Sequence, residues 1–210
     1  MLPLAYMANT LIVEESKLAL FGGLTQDESD SKFKVTNEVL YLDLKTAEWQ
    51  KPSRVFVTNT NDMPLTRMGA QMVNYGDKLW VYSGADPYGL GVQLSDFFSF
   101  NMKKGLWKKE SSYTELKPGE GTLLGQAIRM YNSNAVIFSG GCSIEDQKCE
   151  FDQTKSILFD QPNAHFSDKN IPEAGEFSGR MGHSLVQLGE SVISFGGCSF
   201  GKVCYNDLLI

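Results

Sequence analysis

"RMGHSLVQLGESVISFGGCSFGKVCYNDLLI", residues 180–210, holds one structural unit in a single line. Two apolar stretches, "GHSLVQLGE" and "SVISFGG", flank Leu188-Gly189-Glu190, which has the composition of a hairpin turn. The double glycine Gly196-Gly197 closes the second stretch. A polar loop bracketed by Cys198 and Cys204 follows, and Asn206-Asp207 leads into a third apolar stretch.

The same grammar recurs upstream. "LALFGG" ends at Gly23, "LWVYSGA" at Ala85, "AVIFSGG" at Gly141 and "SVISFGG" at Gly197, at intervals of 62, 56 and 56 residues. Each is preceded by another apolar stretch: "ANTLIVEES", "GAQMVNYGD", "GQAIRMYNS" and "GHSLVQLGE". Each is followed by a variable polar loop and a third stretch, "NEVLYLDL", "LSDFFSFNM", "KSILFDQ" or "NDLLI". A fourth stretch carries Trp49 in the first unit, Trp107 in the second and Phe166 in the third. The stretches are short, alternating or apolar, and none has helical periodicity, so each unit reads as four strands. Four-stranded sheets repeated at this period are the blades of a β-propeller, an all-β architecture. Residues without Cβ, at Gly22, Gly23, Gly84, Gly140, Gly141, Gly196 and Gly197, let the second strand end where neighbouring blades crowd together. The outer-strand tryptophans are expected to pack back over their blades.

The units resemble kelch repeats. The motifs that carry the resemblance are Arg180-Met181-Gly182-His183, Gly196-Gly197 and Asn206-Asp207 in the fourth unit, and Arg67-Met68-Gly69, Gly84 and Trp107 in the second. The first contributes Gly22-Gly23, Asn37-Glu38, Tyr41 and Trp49, and the third Gly125, Gly140-Gly141 and Phe166. The first unit departs from the pattern with Tyr6-Met7-Ala8, and the second with Ser83-Gly84-Ala85. The blades fall at about 4–52, 65–110, 122–168 and 179–210, and the last lacks an outer strand. The resemblance implies six or seven blades, so some three and three-quarter blades are expected to be an incomplete propeller. The remainder would come in cis or from another chain, because an open array exposes blade faces and strand edges.

The formal net charge is −6, which gives no basic footprint for nucleic acid. No apolar run reaches the roughly 18 residues of a membrane-spanning helix, and the N-terminus does not read as a signal peptide. All four cysteines lie in loops that follow a double glycine: Cys142 and Cys149 flank "SIEDQK", and Cys198 and Cys204 flank "SFGKV". Disulfides across the base of each loop, reduced structural thiols and a metal site all remain open. Disulfides would place the chain in a secreted, lumenal or cell-surface setting, and thiols in the cytoplasm. Against the former, no Asn-Xaa-Ser/Thr sequon occurs.

Chemistry-bearing constellations are sparse. His183 belongs to the repeat, and His165 sits beside Phe166. "GEGTLLG", 119–125, enters a strand and not a helix, so it is no phosphate loop. No catalytic, metal or cofactor site is expected. Arg67 and Arg180 recur at the entry of an inner strand, and Asp27 and Asp30 lie in the acidic loop "TQDESDSKFK"; these four are the candidate rim-binding residues. The loops 24–36, 86–95, 142–153 and 199–205, with connectors 51–66, 111–121 and 167–179, would form one rim. The expected function is a non-catalytic protein-interaction scaffold. The alternative is part of a propeller enzyme or carbohydrate-binding domain whose active residues lie elsewhere.

Overall fold

The computed structural model describes residues 5–6, 9–14, 16–26, 33–86, 92–94, 96–110, 127–130, 135–143, 147–149, 155–160, 163–167, 178–189, 191–200 and 203–210. The chain divides into two compact units, Met1–Glu110 and Ser111–Ile210.

The first unit holds two blades. The strands Asn9–Glu14, Lys17–Phe21, Val39–Asp43 and Glu48–Gln50 form the first sheet, antiparallel and in that spatial order. Gln71–Tyr75, Lys78–Tyr82, Phe97–Asn101 and Leu106–Lys109 repeat the arrangement. The connector 51–66, expected on the rim, instead lends the second blade a fifth strand. Phe56–Val57 runs parallel to the outer strand, pairing Phe56 with Leu106 and Val57 with Trp107. Two ties hold it there: Phe56 N–H donates to the Gly105 carbonyl at 2.7 Å, and Lys109 N–H donates to Asp62 Oδ1 at 3.0 Å.

Because side chains alternate along a strand, register divides each sheet into two faces. On the first blade Ala19, Phe21, Val39 and Tyr41 share what we term the leading face. On the second, Met72, Leu79, Val81, Phe98, Phe100 and Trp107 share the opposite, trailing face. Leading face meets trailing face, and the joint between them is the buried core of this unit. Trp107 fills it, 1% exposed, with its ring centroid 4.9 Å from Phe100 and 5.4 Å from Phe21. The expected packing of this tryptophan is therefore met, and it extends to the neighbouring blade. Trp49, its counterpart on the first blade, is only half-buried.

The second unit contains a four-stranded sheet, Ala127–Met130, Ala135–Ser139, Lys155–Asp160 and Asn163–Ser167. It also contains a three-stranded one, Ser184–Leu188, Ser191–Phe195 and Leu208–Leu209. Among the described residues there is no α-helix, and no helix is long and apolar enough to cross a membrane.

Candidate functional site

The glycine pairs and the repeated arginines form one device. In the first unit, Gly22 adopts φ +67°, and a Cβ there would lie 2.6 Å from the Arg67 carbonyl oxygen. That carbonyl accepts the Gly23 N–H at 2.8 Å, while Arg67 N–H donates to the Thr36 carbonyl at 3.1 Å. In the second unit, a Cβ on Gly140 would lie 2.6 Å from the Arg180 carbonyl oxygen, which accepts the Gly141 N–H at 2.7 Å. The double glycine of one blade thus admits the backbone of the arginine that opens the next. Any side chain at the first glycine would meet backbone that has nowhere to move.

The arginine side chains turn inward and are engaged at all three nitrogens. Arg67 donates from Nε to the Leu65 carbonyl at 3.0 Å, from Nη1 to the Ser83 carbonyl at 3.0 Å, and from both terminal nitrogens to the Asp96 carboxylate at 2.5 and 3.1 Å. Arg180 repeats the pattern with Ser178, Gly196 and Asp207, the last at 2.5 and 2.9 Å. Its guanidinium also lies 4.2 Å above the Tyr205 ring. These two side chains are 0% and 1% exposed, which corrects their assignment as rim-binding candidates. A rigid planar fork suits such a buried tie, since it meets a carboxylate and two carbonyls at once. The hydrogen bonds and charge of Arg180 hold the Asp207 carboxyl below its ordinary range. Asp96, the answering carboxylate of the second blade, escaped the sequence reading. Its signal was present in "LSDFF", where an aspartate opens the third strand as Asp207 does in "NDLLI".

His183 packs into the same joint of the second unit. It is 6% exposed, and its Cε1 would lie 2.6 Å from a Cβ on Gly140. Burial first, and then the neighbouring Arg180 charge, push its pKa down to about 4, so the ring is neutral at pH 7. The side chain of His165 and residues 119–125 lie outside the described residues, as do Asp27 and Asp30.

The described residues at the base of each loop after a glycine pair are paired. In the first blade, Leu24–Gln26 pairs with Phe33–Val35 on one side and with Ala5–Tyr6 on the other. In the second, Ala85–Asp86 pairs with Val92–Gln93, and Asp86 accepts a 2.5 Å hydrogen bond from the Thr66 hydroxyl. In the third, Cys142–Ser143 pairs with Lys148–Cys149, and in the fourth Cys198 bridges to Cys204. The cysteines are direct register partners, and both pairs are disulfides: Cys142–Cys149 and Cys198–Cys204. The two closed loops also touch, because Phe200 N–H donates to Cys149 Sγ at 3.0 Å. Cys142 is buried, whereas Gln147, Lys148, Val203 and Cys204 are exposed. A strand-like, cross-linked projection presents such side chains at little entropic cost on binding.

Among the described residues no three or more His, Cys, Asp or Glu side chains converge where a metal ion could be held. The carboxylate of Glu110 is buried but engaged, accepting from Ser99 Oγ at 2.7 Å and from Lys108 Nζ at 2.8 Å.

A family model described as the KLHDC2/KLHL20/DRC7 Kelch-repeats domain matches residues 2–197. Among solved structures, the chain is similar to one titled "Structure of YjhT", with a TM-score of 0.66 and 17% sequence identity. That likeness covers 92% of this chain and 59% of the other, so the chain spans about three-fifths of its length. At this identity the likeness concerns the fold alone. No curated protein matches the chain.

Proposed function

We propose, from the premise that the chain belongs to the kelch-repeat family, that it is a non-catalytic scaffold that recognises a protein partner through the projections following its glycine pairs. Kelch repeat domains generally mediate protein interaction. The observation that carries this reading is that the described residues at the base of all four projections are anchored by strand pairing or a bridge, with two of the projections closed by disulfides. Rigid loops on a fixed sheet scaffold are where recognition concentrates. The repeated arginines do not contribute directly; they fix the blades from which the projections rise. The disulfides support an oxidising compartment as the place of action.

The test is a binding assay with affinity-captured partners, comparing the native chain with variants changed only at exposed described residues of the projections. Lys148→Glu, Gln147→Lys and Val203→Asp are surface changes that leave the sheets intact. Loss of at least one captured partner, with unchanged circular dichroism, supports the reading. Partners that bind all three variants as tightly as the native chain overturn it.

A further inference from the structure

The strand that the connector 51–66 adds to the second blade leaves a free sheet edge. Phe56 N–H donates inward to the Gly105 carbonyl, and along a strand successive residues turn their N–H and C=O groups to opposite sides. Val55 and Val57 therefore turn theirs outward, where neither meets a backbone partner among the described residues. The side chains are open as well: Val55, Phe56 and Val57 are 45%, 51% and 37% exposed. Three consecutive exposed apolar residues on an edge are what a sequence avoids unless the edge is used.

This edge is held in place at both ends. Gly105 has φ +65°, and a Cβ on it would collide with the Arg54 carbonyl, so the bare turn lets the connector lie against the outer hairpin. Further along, the Asp62 carboxylate accepts the N–H groups of Asn59 and Lys109, both at 3.0 Å. A strand fixed in this way loses little freedom when another strand joins it.

Charge selects the occupant. Residues 51–62 and the outer hairpin 101–110 carry six lysines and arginines against two carboxylates, Asp62 and Glu110, in a chain whose net charge is −6. Lys51 is paired with Glu38, Lys103 with Asp77 and Lys108 with Glu110. Arg54, Lys104 and Lys109 have no carboxylate partner among the described residues. The Arg54 guanidinium lies 5.8 Å from the centre of the Phe56 ring. One side of the edge thus offers a cation beside an aromatic ring, and the other offers Val55 and Val57. A second copy of this edge would set like charges against each other. A lipid surface would leave the outward main-chain groups of Val55 and Val57 unanswered.

We infer that this edge accepts an extended segment of a partner protein as a further strand, with acidic side chains towards Arg54 and apolar ones towards Val55 and Val57. Main-chain pairing supplies the affinity, and the alternate side chains supply the specificity. The site uses none of the residues of the projections after the glycine pairs.

The experiment titrates the oxidised chain with a capped synthetic peptide of alternating glutamate and valine, read by fluorescence anisotropy and by amide hydrogen exchange. Saturable binding is expected, with exchange slowed most at the Val55 and Val57 amides. Arg54→Glu and Phe56→Asp should each weaken binding about tenfold or more with the β-sheet signal unchanged, and a lysine–valine peptide should not bind. Of two peptides N-methylated at alternate residues, one should lose binding, because only every second N–H of a strand faces the edge. Absence of saturable binding overturns the inference, as does binding that leaves the Val55 and Val57 amides exchanging as before. Binding to phosphatidylserine vesicles in place of the peptide, lost in Phe56→Asp, would assign the patch to a lipid surface, and a dimer lost in that variant would assign it to a second copy; either overturns it. Lys148→Glu, Gln147→Lys and Val203→Asp should bind the peptide as the native chain does, and Phe56→Asp should keep partners captured through the projections, so the two readings fail separately.

Discussion

The second and fourth blades are built on the same internal tie and differ in everything around it. Both open with Arg-Met-Gly, bury the guanidinium, and answer it with an aspartate at the start of the third strand. In the second blade the strands Lys78–Tyr82 and Phe97–Asn101 are buried almost throughout. In the fourth, Ser191–Phe195 and Leu208–Leu209 are largely open to solvent. The tie is therefore local to a blade and its predecessor, and it forms whether or not the strands around it are buried. Burial of the faces is a separate contribution that only a neighbouring sheet supplies. In a repeat protein these are the intrinsic and interfacial terms of stability, and here one molecule shows the first with and without the second.

The sharpest way to break that comparison is to remove the side chain that fills the covered joint. Trp107→Ala should cost about 4 kcal/mol, the transfer and cavity terms of a large core aromatic. Leu188→Ser, at an exposed position, should change stability by less than about 0.5 kcal/mol. Urea unfolding of both checks the contrast. A small loss for Trp107→Ala would mean that the joint in the first unit is not the core of the fold.

The ties themselves can be separated next. Asp96→Ala leaves Arg67, 0% exposed, without its counter-charge and should cost about 3 kcal/mol. Asp207→Ala should cost less, because the Asp207 side chain is 40% exposed and water can reach the guanidinium it leaves behind. Equal losses at the two positions would show that the surrounding faces do not modulate the tie.

Much of this contrast could be read in advance, and the rest could not for definable reasons. The strand period, the glycine pairs and the cysteine pairs depend on local geometry, and a sequence displays them at fixed spacing. Cys142 facing Cys149 and Cys198 facing Cys204 follow from the hairpin each pair closes. The destination of the arginines was less legible, because Arg67 and Asp96 stand 29 residues apart across a loop of variable length. Nothing in "RMG" distinguishes an exposed guanidinium from a buried one until its acceptors are known. The fifth strand Phe56–Val57 was invisible for a related reason, as two residues carry no periodicity. Alternation places Val186 and Leu188 on one face, but only the structure shows that both are exposed, at 51% and 69%.

The disulfides distinguish the two blades at their projections. The ribbon Ala85–Asp86 with Val92–Gln93 holds by pairing and the Thr66 hydrogen bond, whereas the fourth-blade loop is also covalently closed. Replacing Cys198 and Cys204 together by serine should lower stability by about 2 kcal/mol, as expected for a loop this short. Thermal unfolding with and without reductant checks it, and reductant should lower the midpoint of the native chain but not shift the variant by that pair's share. An unchanged midpoint in the double variant would assign the loop's order to strand pairing alone.

The smallest expected difference is also the most selective, because it depends on one side chain. Gly69-Ala70 of the second blade corresponds to Gly182-His183 of the fourth, so only the fourth blade buries a titratable ring at this place. The folded pKa of His183 is about 4, below the ordinary value of 6.5 expected once the chain unfolds. The unfolded state therefore binds a proton more readily, and stability is lost as pH falls. The neutral ring contributes its full share above pH 6.5, loses it progressively down to pH 4, and changes little beyond. Between pH 7.5 and 5.5 this amounts to about 1 kcal/mol. Urea midpoints of the native chain and of His183→Gln, measured across that interval, isolate the contribution, since the carboxylates lowered by hydrogen bonding at Asp43, Asp62 and Asp207 titrate at lower pH. The native midpoint should fall over the interval and that of the variant should stay nearly level. A variant that falls in parallel would place the acid sensitivity outside the joint and leave the fourth blade no more pH-dependent than the second.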